Sequence, residues 1–483
     1  MSELDIKGKT IAGIFWKFAE RIGAQMVSLI VSIVLARILK PTDYSVVSVV
    51  TIFFNFANVL ISGGLNTALV QKKEPDADDY SSVLFSSLFL SIVIYITLFI
   101  SAPTIANIYE QEILVSIIRI MGISLPITAI KSIWCAYISS NMLFKKFFFA
   151  TIVGTVTSAV VGIVMAINGA GAWALVAQQV INTLIDTLIL IISTKVPLVF
   201  HFSLSKFKNL FNYGWKILVS SIIGTIYSEL VPLVIGVKYT STDLSYYTKG
   251  RSFPSLISST TTNTLSSVLF PALSKFQNEK ERLLNCTRRF VGLSSFVTFP
   301  LMLGFFAVSD TFIEVVLTEK WLPSSPYIKI FCVTCMFDMI HVGNCETIKA
   351  MGRSDIYLIM EIIKKTGYFI TIAFFWYFTN SPQALTMAFL VCTIIATVVN
   401  SVPNKRLIGY KFRNQAIDLL PNLFTAGIMC ICVIFVGKFE MESIWKLMIQ
   451  IVVGMIVYLI LNIIIKNENL VYICNLIRGR LRK

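Results

Sequence analysis

Long apolar runs broken by short polar connections repeat along this 483-residue chain. A helix crossing the hydrocarbon of a bilayer needs about 20 mostly apolar residues, and the pattern supplies about 14 such segments. They fall at 10–38, 44–68, 81–106, 113–138, 147–167, 172–194, 213–236, 246–273, 288–310, 327–349, 355–378, 384–403, 418–437 and 444–466. No connection is long enough for a separate soluble domain. The fold class is all-α, a polytopic membrane protein.

The connections alternate in character. One set is basic, with "QKKEPDADD", "NMLFKK", "KVPLVFHFSLSKFK", "KAMGRSD", "NKRLIGYKFRNQ" and the tail "RGRLRK". The other set, "NIYEQE", "NGAGAW" and "TNSPQ", is short and poor in Lys and Arg. Cytoplasmic connections carry the excess of Lys and Arg, so the basic set and both termini are expected in the cytoplasm. The polar opening "MSELDIKGKT" lacks the charge-then-apolar order of a cleavable signal, and the first span is expected to stay.

A weak repeat with a period of about 200 residues overlies the spans. Trp16-Lys17 returns as Trp215-Lys216, and "KPTDYS" after the first span returns as "TSTDLS" after the seventh. Six spans separate the copies, so both have the same orientation. The expectation is two six-helix lobes, 1–200 and 201–410, around a central cavity, followed by two further helices and a basic tail in 411–483.

Several spans carry polar residues three or four apart, hence on one helical face. The first has Lys17, Glu20, Arg21 and Gln25, and the second has Asn55, Asn58 and Ser62. The sixth has Gln178, Asn182 and Asp186; the seventh has Lys216, Ser220, Ser228 and Glu229. In the eighth, Arg251 leads Ser255, Ser258 or Ser259, Thr262 and Ser266, and the eleventh holds Glu361, Lys364, Lys365 and Tyr368. A charge at mid-bilayer costs at least about 2.5–3.5 kcal/mol on insertion scales, so these faces turn from lipid. They serve as hydrogen-bonding seams between helices or they line a hydrated, partly cationic cavity. Lys249 and Arg251 are two residues apart and so lie on different sides of their helix. Arg251 is expected to face the cavity, where a guanidinium suits phosphate oxygens, or to pair with Glu229. Lys249 is expected to snorkel towards the headgroups.

Composition narrows the function. The chain is 56% hydrophobic and 14% charged, against about 25% charged in soluble domains. Its formal charge of +15 is explained by orientation and anionic lipid rather than nucleic acid. Only two histidines, His201 and His341, are present, and no carboxylate pair accompanies a nucleotide-binding stretch, so an enzyme is not expected. His341 and Asp338 are three apart and can share a face. "CVTC" at Cys332–Cys335 sits in an apolar span without a second ligand pair, which favours packing over a metal. Neither cofactor nor metal is expected.

"ARILKPTDYSVVSVV", "GLNTALVQKKE", "GAGAWALVAQQVINTLID" and "SSVLFPALSKFQNEKERL" together resemble signature stretches of bacterial polysaccharide exporters of the Wzx type. Those belong to the superfamily that includes the lipid II flippase MurJ and the MATE drug exporters. The likeness covers most of 10–300, and Ser45 stands where the family commonly has glycine. It implies a flippase in the bacterial inner membrane that moves an undecaprenyl-pyrophosphate-linked oligosaccharide to the outer leaflet. It also implies polysaccharide polymerase and chain-length machinery as partners. The family's cavity arginines on its first and eighth helices correspond here to Arg21 and Arg251. The expected pyrophosphate and sugar site is Arg21, Arg251, Lys17, Lys249, Asn55, Asn58, Gln178, Asn182 and Ser255. Glu20, Asp186, Glu229 and Asp338 are candidates for binding a coupling Na⁺ or H⁺ or for balancing charge. A MATE-like cation antiporter and a lipid II flippase are the alternatives on the same fold.

Overall fold

The computed structural model describes residues 3–72, 74–274, 276 and 279–472, with the side chains of 3–15, 17–18, 263–268, 270–272, 274 and 354 excluded. The helices are α1 (Glu3–Ile38), α2 (Pro41–Ser62), α3 (Leu65–Gln71), α4 (Ala77–Ile108), α5 (Ile113–Gly122), α6 (Ser124–Ser140), α7 (Phe144–Ile167), α8 (Ala172–Ser193) and α9 (Leu204–Lys238). They continue with α10 (Ser241–Ser274), α11 (Lys280–Phe312), α12 (Ser325–Met336), α13 (Asp338–Ala350), α14 (Ser354–Phe378), α15 (Pro382–Leu407), α16 (Phe412–Gly437) and α17 (Ser443–Ile464). No strand occurs among the described residues.

Every expected span is present as a helix or a pair of helices. Among the described residues, twelve helical segments are long and apolar enough to cross a membrane. Among them α2 continues into α3, α5 into α6, and α12 into α13. The other two expected spans are α10 and α14, which lie outside the twelve. At about 1.5 Å per residue both exceed the roughly 30 Å of hydrocarbon. Their apolar character is diluted, in α10 by the run "SSTTTNTLSS" and in α14 by Glu361, Lys364 and Lys365.

The outer faces are apolar. Phe89, Ile92, Ile96 and Ile100 form an exposed stripe on α4, as do Met448, Val452, Met455, Leu459 and Ile463 on α17. Contiguous stripes of this kind would aggregate a protein in water. In lipid they are the solvent-facing surface.

The chain divides into two compact units, Met1–Ser245 and Tyr246–Lys483. In the first, α9 packs against α2, α3 and α4. Its tightest approach is backbone on backbone: a Cβ on Gly64 would lie 2.5 Å from the Gly214 carbonyl oxygen. The two copies of the repeat are capped alike. Asp43 accepts from the Lys40 amide at 2.9 Å, and Asp243 from the Thr240 amide at 3.2 Å. Ser45 and Ser245 each donate to the carbonyl three residues back, Thr42 and Thr242, at 2.7 Å.

Basic connections gather at one end of this unit. Lys206 meets Asp76 at 2.5 Å, His201 meets Asp78 at 3.0 Å, and Lys72 pairs with Asp79. The Lys206 ammonium and the Asp79 amide hold the Asp76 carboxyl well below the usual carboxylate range. At the other end Gln111 donates to Ser45 at 3.4 Å and to Ser241, joining the two capped turns. The tail 478–483 lies outside the described residues.

The α7–α8 seam shows why the first unit folds as it does. Gln178, Asn182 and Asp186 on α8 meet Gly162, Ser158 and Gly154 on α7, small residues repeated every four positions. Small residues let helices in lipid approach closely and hydrogen-bond. A Cβ on Gly154 would fall 2.3 Å from Asp186 Oδ1. Gly154→Val is therefore expected to wedge the seam and destabilise the protein by about 1–3 kcal/mol, read as a lower melting temperature in detergent, whereas Val153→Ala on the exposed face leaves it near the wild-type value.

Candidate functional site

In the second unit the site begins with α10. Pro254 lies one turn beyond Lys249 and Arg251, and α10 remains helical through it. Arg251 is half-buried, its guanidinium carbon 5.9 Å from the ring centres of both Phe331 on α12 and Phe389 on α15. Aromatic rings attract a cation, while the N–H edge of a guanidinium is the part that suits oxygen acceptors. Ser255 follows one turn on, also half-buried.

Lys249 departs from its expectation. It is 6% exposed, with its ammonium 5.6 Å from the ring of Trp321, which is itself fully buried. The reason is the neighbouring Gly250: a Cβ there would come 2.6 Å from Tyr327 and 2.9 Å from the Ser324 carbonyl oxygen. The start of α10 is pressed against the 319–327 connection, so Lys249 lies beneath the indole instead of snorkelling.

Two of the acidic candidates are met by neutral donors. Glu229 on α9 accepts from Asn55 on α2 at 3.0 Å, and Asp338 on α13 accepts from Ser258 on α10. Asp338 and His341 do not join as a pair: His341 Nε2 lies 2.8 Å from Thr397 on α15. Cys332 and Cys335 are free and buried in packing. No group of three or more metal-ligating side chains occurs among the described residues.

In the first unit, Asn182 donates to Ser158 at 3.2 Å and Gln178 lies against Gly162, so both serve the α7–α8 seam. Glu20 is half-buried and Arg21 exposed on α1. The side chains of Lys17 and Ser266 lie outside the described residues. Asn58 lines a pocket of about 640 Å³ between α2, α3, α6 and α8. The same pocket contains Lys131 of α6, whose ammonium reaches Asp186 Oδ2 at 2.6 Å. Lys131 was not among the expected site residues, although Ser124, Thr128 and Ser132 recur every four residues on its span and Lys131 stands three after Thr128. The available signal was simpler: a lone lysine inside "ITAIKSIWCAY" must find a partner in lipid.

Within the second unit a further polar cluster was not anticipated. Asn344, Asn404, Ser401 and Gln415 are buried and hydrogen-bonded to one another, with Asn404 donating to Asn344 at 2.7 Å and Ser401 to Gln415 at 2.9 Å. It ties α13 and α15 to α16, as buried amides do between helices in lipid.

The geometry around Lys249 gives a direct test. Trp321→Ala removes its roof and is expected to raise modification of Lys249 by a water-soluble amine reagent several-fold. Peptide mass spectrometry reads the change, with Lys329 as the internal standard.

Comparison with known proteins agrees with this architecture. The model of the polysaccharide biosynthesis protein family matches residues 34–326. The succinoglycan biosynthesis transport protein ExoT of Rhizobium meliloti is 20% identical, over 98% of this chain and 97% of its own. The lipopolysaccharide biosynthesis protein WzxC of Escherichia coli is 22% identical, over 86% and 85%. Among solved structures, the lipid II flippase MurJ in an inward closed conformation superposes with a TM-score of 0.76 at 16% identity, covering 94% of this chain and 98% of that one. An inward-facing multidrug resistance MATE family transporter gives 0.63 at 12% identity, over 80% and 94%. With 34–326 matched and the whole chain sharing the helical fold of these transporters, it belongs to the polysaccharide biosynthesis protein family.

Proposed function

We propose that this protein is a flippase. It moves undecaprenyl-pyrophosphate-linked oligosaccharide from the cytoplasmic to the outer leaflet of the bacterial inner membrane, for O-antigen, capsule or exopolysaccharide synthesis. The relatives' names support a polysaccharide cargo, and the observation that carries the reading is Arg251. It stands against Phe331 and Phe389, nearly three turns into α10 from Ser241. A guanidinium is costly to keep within a membrane-spanning helix. A guanidinium there is a forked hydrogen-bond donor suited to the phosphate oxygens of an anion that must cross the membrane.

The two lobes alternately expose the cargo's head, while its polyprenyl tail stays in lipid. Arg251 and Arg21 bind the pyrophosphate, and Lys17 lies on the same span as Arg21. Ser255, Asn55 and Asn58 offer hydrogen bonds to sugar hydroxyls. Both termini and the basic connections face the cytoplasm. The protein does no chemistry on its cargo. Na⁺ or H⁺ at Glu20, Glu229 or Asp338 drives the cycle, as does the membrane potential at about 2.3 kcal/mol per charge per 100 mV.

Flipping of a fluorescent undecaprenyl-pyrophosphate oligosaccharide by the full chain in vesicles tests this. Wild type is expected to flip it. Arg251→Ala loses about 1.5–3 kcal/mol of charged hydrogen bonding, roughly tenfold to a hundredfold in rate, and Arg251→Lys recovers part of the loss. Equal rates for all three would move the anion site to Arg21. Cation exchange without any flipping would replace the flippase with an antiporter.

A further inference from the structure

Lys131 and Asp186 are unequal partners. Asp186 is almost sealed in the α7–α8 seam, with its side chain 5% exposed, while Lys131 is 25% exposed on the wall of the pocket. The pair lies well inside its helices: Lys131 stands two and a half turns before the end of α6 at Ser140. Asp186 Oδ2 holds the ammonium at 2.6 Å, and Oδ1 is buried without a hydrogen-bond partner. The carboxylate is thus fixed by packing against Gly154, and the lysine is the mobile half, on a flexible four-carbon stem.

The pocket in front of Lys131 is an open groove with hydroxyls and amides on a partly apolar wall that includes Val70, Cys135 and Ala136. Asn58, Ser62, Asn66, Thr67, Thr128 and Ser132 line it, and Lys131 is the charged residue among its lining. At about 640 Å³ it is within the size range of small-molecule sites. A permanent salt bridge needs no such groove, and a buried ion pair is poor evidence of a stabilising role, since a packed apolar pair often does as well. A lysine at the edge of an open groove that also presents hydroxyls and amides suits an anion that itself carries hydroxyl-rich substituents.

We propose that Lys131 is an anion-binding residue of the transport pathway, parked on Asp186 while the pocket is empty and swung to a phosphate or pyrophosphate when one enters. Asp186 is a positioning residue that competes with the anion for the ammonium. This deepens the flippase reading and rests on it. The competition has a sign that a structural salt bridge would not give. Removing Asp186 strengthens anion binding.

The full chain in lipid nanodiscs is titrated with inorganic pyrophosphate and, separately, with a short-chain prenyl pyrophosphate, with melting temperature measured alongside. Asp186→Asn is expected to bind both probes several-fold tighter than wild type. Lys131→Met/Asp186→Leu, which buries no lone charge, is expected to bind them at least about tenfold more weakly than wild type. Should Asp186→Asn fold poorly, amine modification of Lys131 in the wild type serves instead, and pyrophosphate is expected to change its rate. Weaker binding by a well-folded Asp186→Asn, or double-variant affinity equal to wild type, overturns the role of Lys131 and leaves the flippase intact. A wild type that binds neither probe while taking up an organic cation overturns both. If only the prenyl probe binds, the pocket serves a lipid-linked head; if both bind alike, it serves the free anion as well.

Discussion

A charge inside hydrocarbon has no water to turn to, and that lack governs the arrangement of this molecule. Each ionised or hydrogen-bonding group at membrane depth must be met by another residue. Three kinds of answer recur. Carboxylates are met by neutral donors, Asn55 for Glu229 and Ser258 for Asp338. Cations rest on rings, Arg251 between Phe331 and Phe389, Lys249 under Trp321, and Arg119 at 4.3 Å over Phe99. Opposite charges pair where a small residue makes room, as Lys131 and Asp186 do beside Gly154.

These answers differ in what they ask of a group. A carboxylate bound by an amide has lone pairs to spare. An aromatic wall engages a guanidinium through its π-electrons and makes no claim on the N–H edge. A lysine gripped by a rigid carboxylate has given up its strongest partner direction until something else draws it away. In the first two the neighbour does not compete with an anion for the same atoms, whereas in the third it does.

Much of the fold was legible because hydropathy is a collective property. Twenty apolar residues average out local detail, so each expected span appears as a helix or helix pair. The breaks at Gly63–Gly64, Ile123 and Phe337 were not read, because they interrupt the helix without interrupting its hydropathy. The repeated turn was legible as a sequence repeat, while its hydrogen bonds, Asp43 and Asp243 to the amides three residues back and Ser45 and Ser245 to the carbonyls, appear only in the structure. Side-chain partners were harder. Periodicity places Gln178, Asn182 and Asp186 on one face but says nothing of the glycines opposite, which decide that the face is a seam. Snorkelling of Lys249 followed from its position near a helix end, and it failed because the packing of Gly250 against Tyr327 and Ser324 draws that end inward. The Asn344 cluster went unread because its members lie on three different helices and become visible only when these are laid side by side; Lys131 went unread although Thr128, three residues before it, shares its face.

The meeting of Gly64 and Gly214 carries a mechanical consequence. Where α3 begins against α9, peptide touches peptide and no side chain of either residue intervenes. Knobs lodged in holes resist rotation, because every turn must lift a side chain from its socket. A bare crossing has no such teeth. The two helices can roll about that point while keeping their separation, which makes it a bearing in a structure otherwise held by interlocking parts.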